Sequence, residues 1–415
     1  MKIEIIINGL YGDRNVSVVI QEPVTIIMAE NGSGKTTALR FISAIFKGQI
    51  EKLLNYDFNF VEIKHNGKIS IKINRTDLMN PYIRSLNAIS ENNIADSDEL
   101  RKMLDSYMRK KDDQTFHMIM HKLMRHNARF DDFFFNLRET KVNKEIISLI
   151  DNIDKEKRDN VIFWPTYRRI EKKIGVVDKK NEDDYVAFGM NDITKKFKSI
   201  EEGLTKDALD LSSNINKDLI VHALHGDNPP NDFFSSIQSR QNDIELMLER
   251  TQVTKEKKKL MDIILNKDFK KYTALASIIY HLTEGFIKLK KKDEKIETFI
   301  RVINKYLVEK EMVYDNRCVK IYCKDTKNQK ELDLDCLSSG EKHIIGMLST
   351  LYLSDTKNTI IIDEPEISLS TEWQQMLIED IMNSGAVSQL ICATHSPFIF
   401  ENEYAENVTN LVVTR

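Results

Sequence analysis

Residues 24–37 read VTIIMAENGSGKTT. An apolar run of β type enters a loop with Gly32 and Gly34. Lys35 and Thr36 then open KTTALRFISAIFK (35–47), in which Leu39, Ile42 and Phe46 recur at helical spacing. Strand, glycine loop and helix in that order are the context in which GxxxxGK[ST] binds phosphate. Glycines let backbone N–H groups approach the anion, and the helix N-terminus adds partial positive charge. This assigns Asn31, Gly32, Ser33, Gly34, Lys35, Thr36 and Thr37 to a phosphate loop. Lys35 has the reach for terminal phosphates, and the Thr36 hydroxyl suits Mg2+. Ala29 stands where the pattern has its first glycine, which is tolerable at negative φ.

Outward from this loop, IEIIIN (3–8), VSVVI (16–20), FNFVEIK (58–64) and KISIKI (68–73) read as short strands. From about 76 to 158 the pattern is helical and rich in Met, Lys and Asp. NVIFWPTYRRIEK (160–172) reads as one more strand, and 173–298 as helical and charged. Within 251–295, 12 Lys face 6 Asp plus Glu, a local excess of +6. A second β region follows at 312–323 and 331–335, and strands and helices alternate after it.

Three C-terminal strings carry chemistry. CLSSGEKHIIGML (336–348) opens a helix on Ser-Ser-Gly-Glu, an N-cap with an acid in the first turn. Residues 359–370 read TIIIDEPEISLS, a buried-type strand of consecutive isoleucines ending in Asp363 and Glu364. Ligands of parallel sheets lie at the carboxyl ends of strands. Asp363 is thus placed to hold Mg2+, and Glu364 to polarise an attacking water. QLICATHSP (389–397) ends a further strand at His395, placed to donate to charge on a terminal phosphate.

ENGSGKTT, LSSGEK, the DEPEISL strand end and ATHSPF, in that order, resemble the Walker A, signature, Walker B and H-loop motifs of an ABC-type ATPase head. The soluble relatives are SMC, RecF, double-strand-break repair and OLD-type ATPases. FWPTYRRIE, DEPEISLSTEWQ and THSPFIF look most like stand-alone bacterial ATPases of anti-phage defence, such as those of the Septu and PARIS systems. The specific motifs cover about 1–47 and 331–403. The resemblance implies an α/β P-loop head in two lobes, with a mixed or parallel sheet and helical insertions. It implies ATP and Mg2+ as ligands, Glu364 and His395 as catalytic residues, and Thr36 and Asp363 on the metal. Two heads would sandwich ATP as a homodimer or higher homo-oligomer, with Ser338, Ser339, Gly340 and Glu341 reaching the partner's nucleotide. It further implies a separate effector, a nuclease (Toprim included) or a toxin. The alternative is a RecF/SMC-like DNA-repair or DNA-structural ATPase with nucleic acid as partner. Glu341 stands where transporters often have Gln, Ser370 stands at the D-loop position that is often Asp or His, and Arg168 or Arg169 is a further candidate near the phosphates.

The expected division is 1–172 as an N-terminal ATPase lobe, 173–298 as a helical arm, and 299–415 as a C-terminal lobe with signature, Walker B and H-loop. The length of 415 residues fits two or three units. With 14 Gly and 7 Pro, a loop-rich all-β fold, collagen and broad disorder are excluded. A net charge of −3 argues against a wholly basic nucleic-acid coat. The four cysteines form no CxxC pair, and the N-terminus lacks a leader-like apolar region. No run of 18 apolar residues signals a membrane span, so a cytoplasmic protein is expected. Met118 occupies the Glu position of an HExxH pattern at His117 and His121, which reads as a packed helix rather than a zinc site. Phe130, Phe133, Phe134 and Phe135 read as core, and Trp373, Met376, Leu377 and Ile381 as a face covering the sheet. The lysines of 288–295 read as a solvated face more than as a nucleic-acid contact. The 20 residues after His395 leave no room for a Toprim domain, so cutting is expected of another chain.

Overall fold

A computed structural model describes residues 2–30, 32–65, 68–76, 78, 160–165, 190–225, 229–237, 240–250, 257–266 and 271–414. Asn31, His117, His121, Phe130, Phe133, Phe134, Phe135, Arg168 and Arg169 lie outside these residues, as does nearly all of the 76–158 insertion. In chain order the strands are β1 (Lys2–Leu10), β2 (Arg14–Gln21), β3 (Val24–Met28), β4 (Phe60–His65), β5 (Lys68–Asn74), β6 (Val161–Trp164), β7 (Lys310–Asp315), β8 (Lys320–Asp325), β9 (Glu331–Leu332), β10 (Asn358–Asp363), β11 (Val387–Thr394), β12 (Val408–Asn410) and β13 (Val412–Thr414). The longer helices are α1 (Lys35–Phe46), α2 (Asn191–His225), α3 (Gln241–Arg250), α4 (Thr273–Ile303), α5 (Ser339–Tyr352) and α6 (Thr371–Met382).

These residues form two compact units. One gathers the described residues up to 165 together with 355–414, and the other runs from 190 to 354. The first holds two sheets. β1 pairs antiparallel with β2 and β4 in the order β13-β2-β1-β4-β5, and alternation along β1 buries Ile3, Ile5 and Ile7. The second sheet has the order β12-β3-β11-β10-β6, with each neighbouring pair parallel. β10 is buried at every residue, as a central strand covered on both faces must be. The consequence for the site lies in the register. Thr394 pairs with Met28 and Ala393 with Asp363, so β3, β11 and β10 end side by side on one edge.

α1 packs in one hydrophobic cluster with Ile3, Ile5 and Ile7 of the first sheet and Ile361 and Ile391 of the second. The single apolar face expected from Leu39, Ile42 and Phe46 is therefore only part of its burial. Ala38, Phe41 and Ile45 are buried too. α6 is rotated from its expected face: Gln374, Leu377, Ile378 and Ile381 are buried, while Trp373 and Met376 are only half-buried. Gln374 turns inward because its Nε2 donates to the Leu369 carbonyl at 2.9 Å and its Oε1 accepts from Ser396 Oγ at 2.6 Å. The 160–172 strand is described only over Val161–Trp164.

The second unit joins α2–α5 to the antiparallel strands β7-β8-β9. Arg250 and Asp293 form a buried ion pair in it. Arg250 Nη1 lies 2.9 Å from Asp293 Oδ2, Arg250 Nε donates to the Asn316 carbonyl at 2.7 Å, and Tyr314 Oη donates to Asp293 Oδ1 at 2.5 Å. Lys290 pairs with Asp243 and Lys292 with Asp207, which supports the solvated-face reading of that lysine cluster. The unit edge differs from the sequence boundary at 299. Residues 310–354 stay with the helices, whereas the pairing of β11 with β3 draws 355–414 back to the N-terminal strands. Among the described residues, no helix is long and apolar enough to cross a membrane.

Candidate active site

The edge where β3, β10 and β11 end carries most of the motif residues. β3 runs into the 29–34 loop, where Gly32 (φ 77°) and Gly34 (φ 94°) adopt the left-handed backbone that favours glycine. A Cβ at either would meet nothing within 4 Å, so open space faces both. Ala29 is not among the left-handed residues, which is how the departure from the glycine pattern is accommodated. The N-cap Gly34 has no side chain to cap α1, and no acid of the helix itself sits in its first turn. Lys35 is buried, and its Nζ donates to the Ala29 carbonyl at 2.8 Å and the Glu30 carbonyl at 3.3 Å. Ser33 Oγ is buried and has no hydrogen-bond partner among the described residues. Thr37 follows on α1.

Thr36 Oγ1 donates to Asp363 Oδ2 at 2.6 Å. That bond joins the start of α1 to the end of β10 and brings two hard oxygen ligands together. Both suit Mg2+, which takes one or two protein oxygens and completes its shell with phosphate and water. Among the described residues, no group of three or more His, Cys, Asp or Glu is arranged to hold a metal. The oxygen pair and the open loop fit a Mg2+ ion that shares its shell with phosphate.

Glu364 follows at φ 51°, with its N–H donating to the Ala393 carbonyl at 2.8 Å. A left-handed conformation costs a residue with a Cβ roughly 1–2 kcal/mol, and such strain collects at functional sites. His395 Nδ1 lies 3.8 Å from Glu364 Oε1 and 3.2 Å from Glu366 Oε1. The same Glu366 oxygen accepts from the His395 backbone N–H at 3.0 Å. Burial, and then the nearby Glu366 carboxylate, push the Cys392 thiol up. Glu366 escapes the sequence reading. Its one signal there is a second carboxylate two residues after Glu364, and its partner is set by the pairing of β10 with β11.

Ser338, Ser339, Gly340 and Glu341 belong to the other unit. Ser338 and Ser339 are exposed, while Gly340 and Glu341 are buried. Ser338 and Glu341 form a complete capping box: Ser338 Oγ accepts the Glu341 N–H at 3.3 Å, and Glu341 Oε2 accepts the Ser338 N–H at 2.7 Å. Lys310 Nζ meets both Glu341 oxygens at 2.9 and 2.8 Å. The Glu341 carboxylate is thus engaged in starting its own helix, whereas Ser338 and Ser339 face solvent. Ser370 likewise serves as the N-cap of α6.

The AAA ATPase domain family matches residues 1–400. The chain belongs to this family. Within its range of relatives, the chain is similar to the retron Vc95 probable ATPase of Vibrio cholerae serotype O1 biovar El Tor. The two are 23% identical over 410 residues, covering 94% of this chain and 68% of that protein. Among solved structures, it is similar to the Smc head domain with an extended coiled coil bound to the C-terminal domain of ScpA, derived from Pyrococcus furiosus. That match has 11% identity, covers 100% of this chain and 96% of the other, and has a TM-score of 0.35. A second, the SmcHead bound to the C-winged helix domain of ScpA, shows 12% identity, 100% and 97% coverage, and a TM-score of 0.38. The α/β fold expected from the motifs, with parallel and antiparallel sheets and added helices, is the fold of this ATPase-family chain.

Proposed function

We propose that this chain binds ATP on the 29–37 loop with Mg2+ and hydrolyses it, that ATP closes two copies upon each other, and that this closure controls a separate nuclease or toxin in anti-phage defence. The observation that carries the reading is the bond from Thr36 to Asp363, which joins loop and acidic strand end in one oxygen site. Lys35 and the amides of the loop and of the start of α1 hold the phosphates. Thr36 and Asp363 hold Mg2+, which when bound neutralises charge on the phosphate oxygens. Glu364 orients the attacking water by accepting its hydrogen bond, and His395 donates to the oxygens on which charge accumulates. Ser338 and Ser339, exposed at the start of α5, act on the nucleotide of the second copy.

The name of the Vibrio cholerae relative supports the ATPase part of this reading. The defence part rests on FWPTYRRIE, DEPEISLSTEWQ and THSPFIF. The DNA-structural alternative loses its basic surface in part to the ion pairs of Lys290 and Lys292.

Glu364→Gln tests the reading. Turnover should fall by about 10²-fold or more, while ATP binding persists and light scattering shows a dimer with ATP. Unchanged turnover would remove Glu364 from its role, and a monomer at saturating ATP would remove the sandwich. Tagged Glu364→Gln protein recovered from its native host with ATP should carry a stoichiometric nuclease or toxin. Recovery of DNA alone would favour the DNA-structural alternative.

A further inference from the structure

We infer that Glu366 is a positioning residue of this site: it grips the His395 imidazole through Nδ1 and leaves Nε2 as the nitrogen offered to the nucleotide. This rests on the reading of the site proposed above. One oxygen, Glu366 Oε1, accepts the His395 backbone N–H at 3.0 Å and lies 3.2 Å from its Nδ1. The atom that bonds the main chain is thus also the carboxylate oxygen nearest the ring. Glu364 Oε1 lies 3.8 Å from Nδ1, so Glu366, and not the carboxylate next to the chemistry, is the nearer partner of the ring. To donate to a carboxylate, Nδ1 must carry the proton. Nε2 is then the nitrogen that takes a further proton and donates to an anionic oxygen.

Burial points the same way. Glu366 is 6% exposed, whereas the His395 side chain is 47% exposed. The anchor sits inside and the working ring outside. Glu366 Oε2 is buried with no hydrogen-bond partner among the described residues. Stability alone disfavours such a group, because an incompletely satisfied buried carboxylate is worse than an apolar side chain of similar size. The residue after His395 is braced as well, through the hydrogen bond from Ser396 Oγ to Gln374 Oε1. The loop after β10 and the first turn of α6 thus hold two successive residues of the turn after β11.

The test combines steady-state kinetics with 15N imidazole NMR. Glu366→Leu should lower kcat by about tenfold to a hundredfold and leave KM for ATP within about threefold. Glu366→Gln, whose carbonyl oxygen can accept both bonds, should keep kcat within about threefold. In a His395→Ala background, Glu366→Leu should cause no further loss, since residues acting as one unit are non-additive. NMR should show the Nδ1–H form of His395 in the parent chain and its loss in Glu366→Leu. If the leucine variant fails to fold, Glu366→Asp withdraws the oxygen by one methylene and should give the same loss. Undiminished kcat in Glu366→Leu, an additive loss in the His395→Ala background, or an unchanged ring tautomer would each overturn the assignment. If His395→Ala alone leaves kcat intact, the reading of the site fails instead, and the tautomer measurement then decides the positioning on its own.

Discussion

Lys310→Met probes how the helix bearing Ser338 and Ser339 is started. It would leave the Glu341 side chain, 5% exposed, with the Ser338 N–H as its remaining described hydrogen bond and without the two contacts from Lys310 Nζ at 2.9 and 2.8 Å. Removing one partner of a fully buried pair costs about 3–5 kcal/mol. The Lys310 side chain is 26% exposed, so water already screens it. Discounting for that screening sets the expected cost at about 2 kcal/mol. At 1.4 kcal/mol per factor of ten, this is roughly thirtyfold faster opening of the first turn of α5. Hydrogen–deuterium exchange reads it locally at the Glu341 and Lys342 amides, which bond to Ser338 Oγ and to the Ser338 carbonyl. A local readout is needed because a chain of two units need not unfold in one step. Lys310→Met with Glu341→Gln should bring exchange back to within about threefold of the parent, since Gln keeps the capping box without the charge. Parental exchange in Lys310→Met, or a double variant as fast as the single one, would refute the reasoning.

Three further outcomes follow from the same structure. Lys35→Ala should weaken ATP binding by at least about tenfold in calorimetry, because a buried charged donor is lost; parental affinity would sink the phosphate-loop assignment. Ile361→Ala, in a strand buried on both faces, should cost about 2–5 kcal/mol in urea unfolding of the first unit. A midpoint like the parent's would contradict the central place of β10. In the native protein, a thiol reagent at neutral pH should label the exposed Cys318 and Cys336 and spare Cys323 and Cys392. Burial, and then Glu341, raise the Cys323 thiol to about 11, and burial alone accounts for most of the rise at Cys392. Rapid labelling of Cys323 would overturn that environment.

The strand–glycine loop–helix passage was legible because its pattern is local. Consecutive amides, two left-handed glycines, a lysine and a hydroxyl lie within one strand–loop–helix passage. The consecutive isoleucines before Asp363 likewise announced a strand buried on both faces. The capping box at Ser338 was half legible: the acid in the first turn reads from sequence, whereas its pairing with Lys310, 31 residues earlier, does not. Helix faces were the least secure. α6 turned toward Gln374 because a polar bond to Ser396 outweighed the apolar spacing of Trp373 and Met376.

By itself, then, the sequence determined that this chain carries a glycine loop of the phosphate-binding pattern, two acidic or basic strand ends, and an α/β core around them. Each of those features is written in neighbouring residues. Tertiary structure alone decided that Thr36 meets Asp363, 327 positions away, and that Glu366 rather than Glu364 holds His395. The cause is the strand order. β11 lies between β3 and β10 in parallel register, so three strand ends far apart in the chain finish on one edge, where the side chains that follow them come within reach of one another.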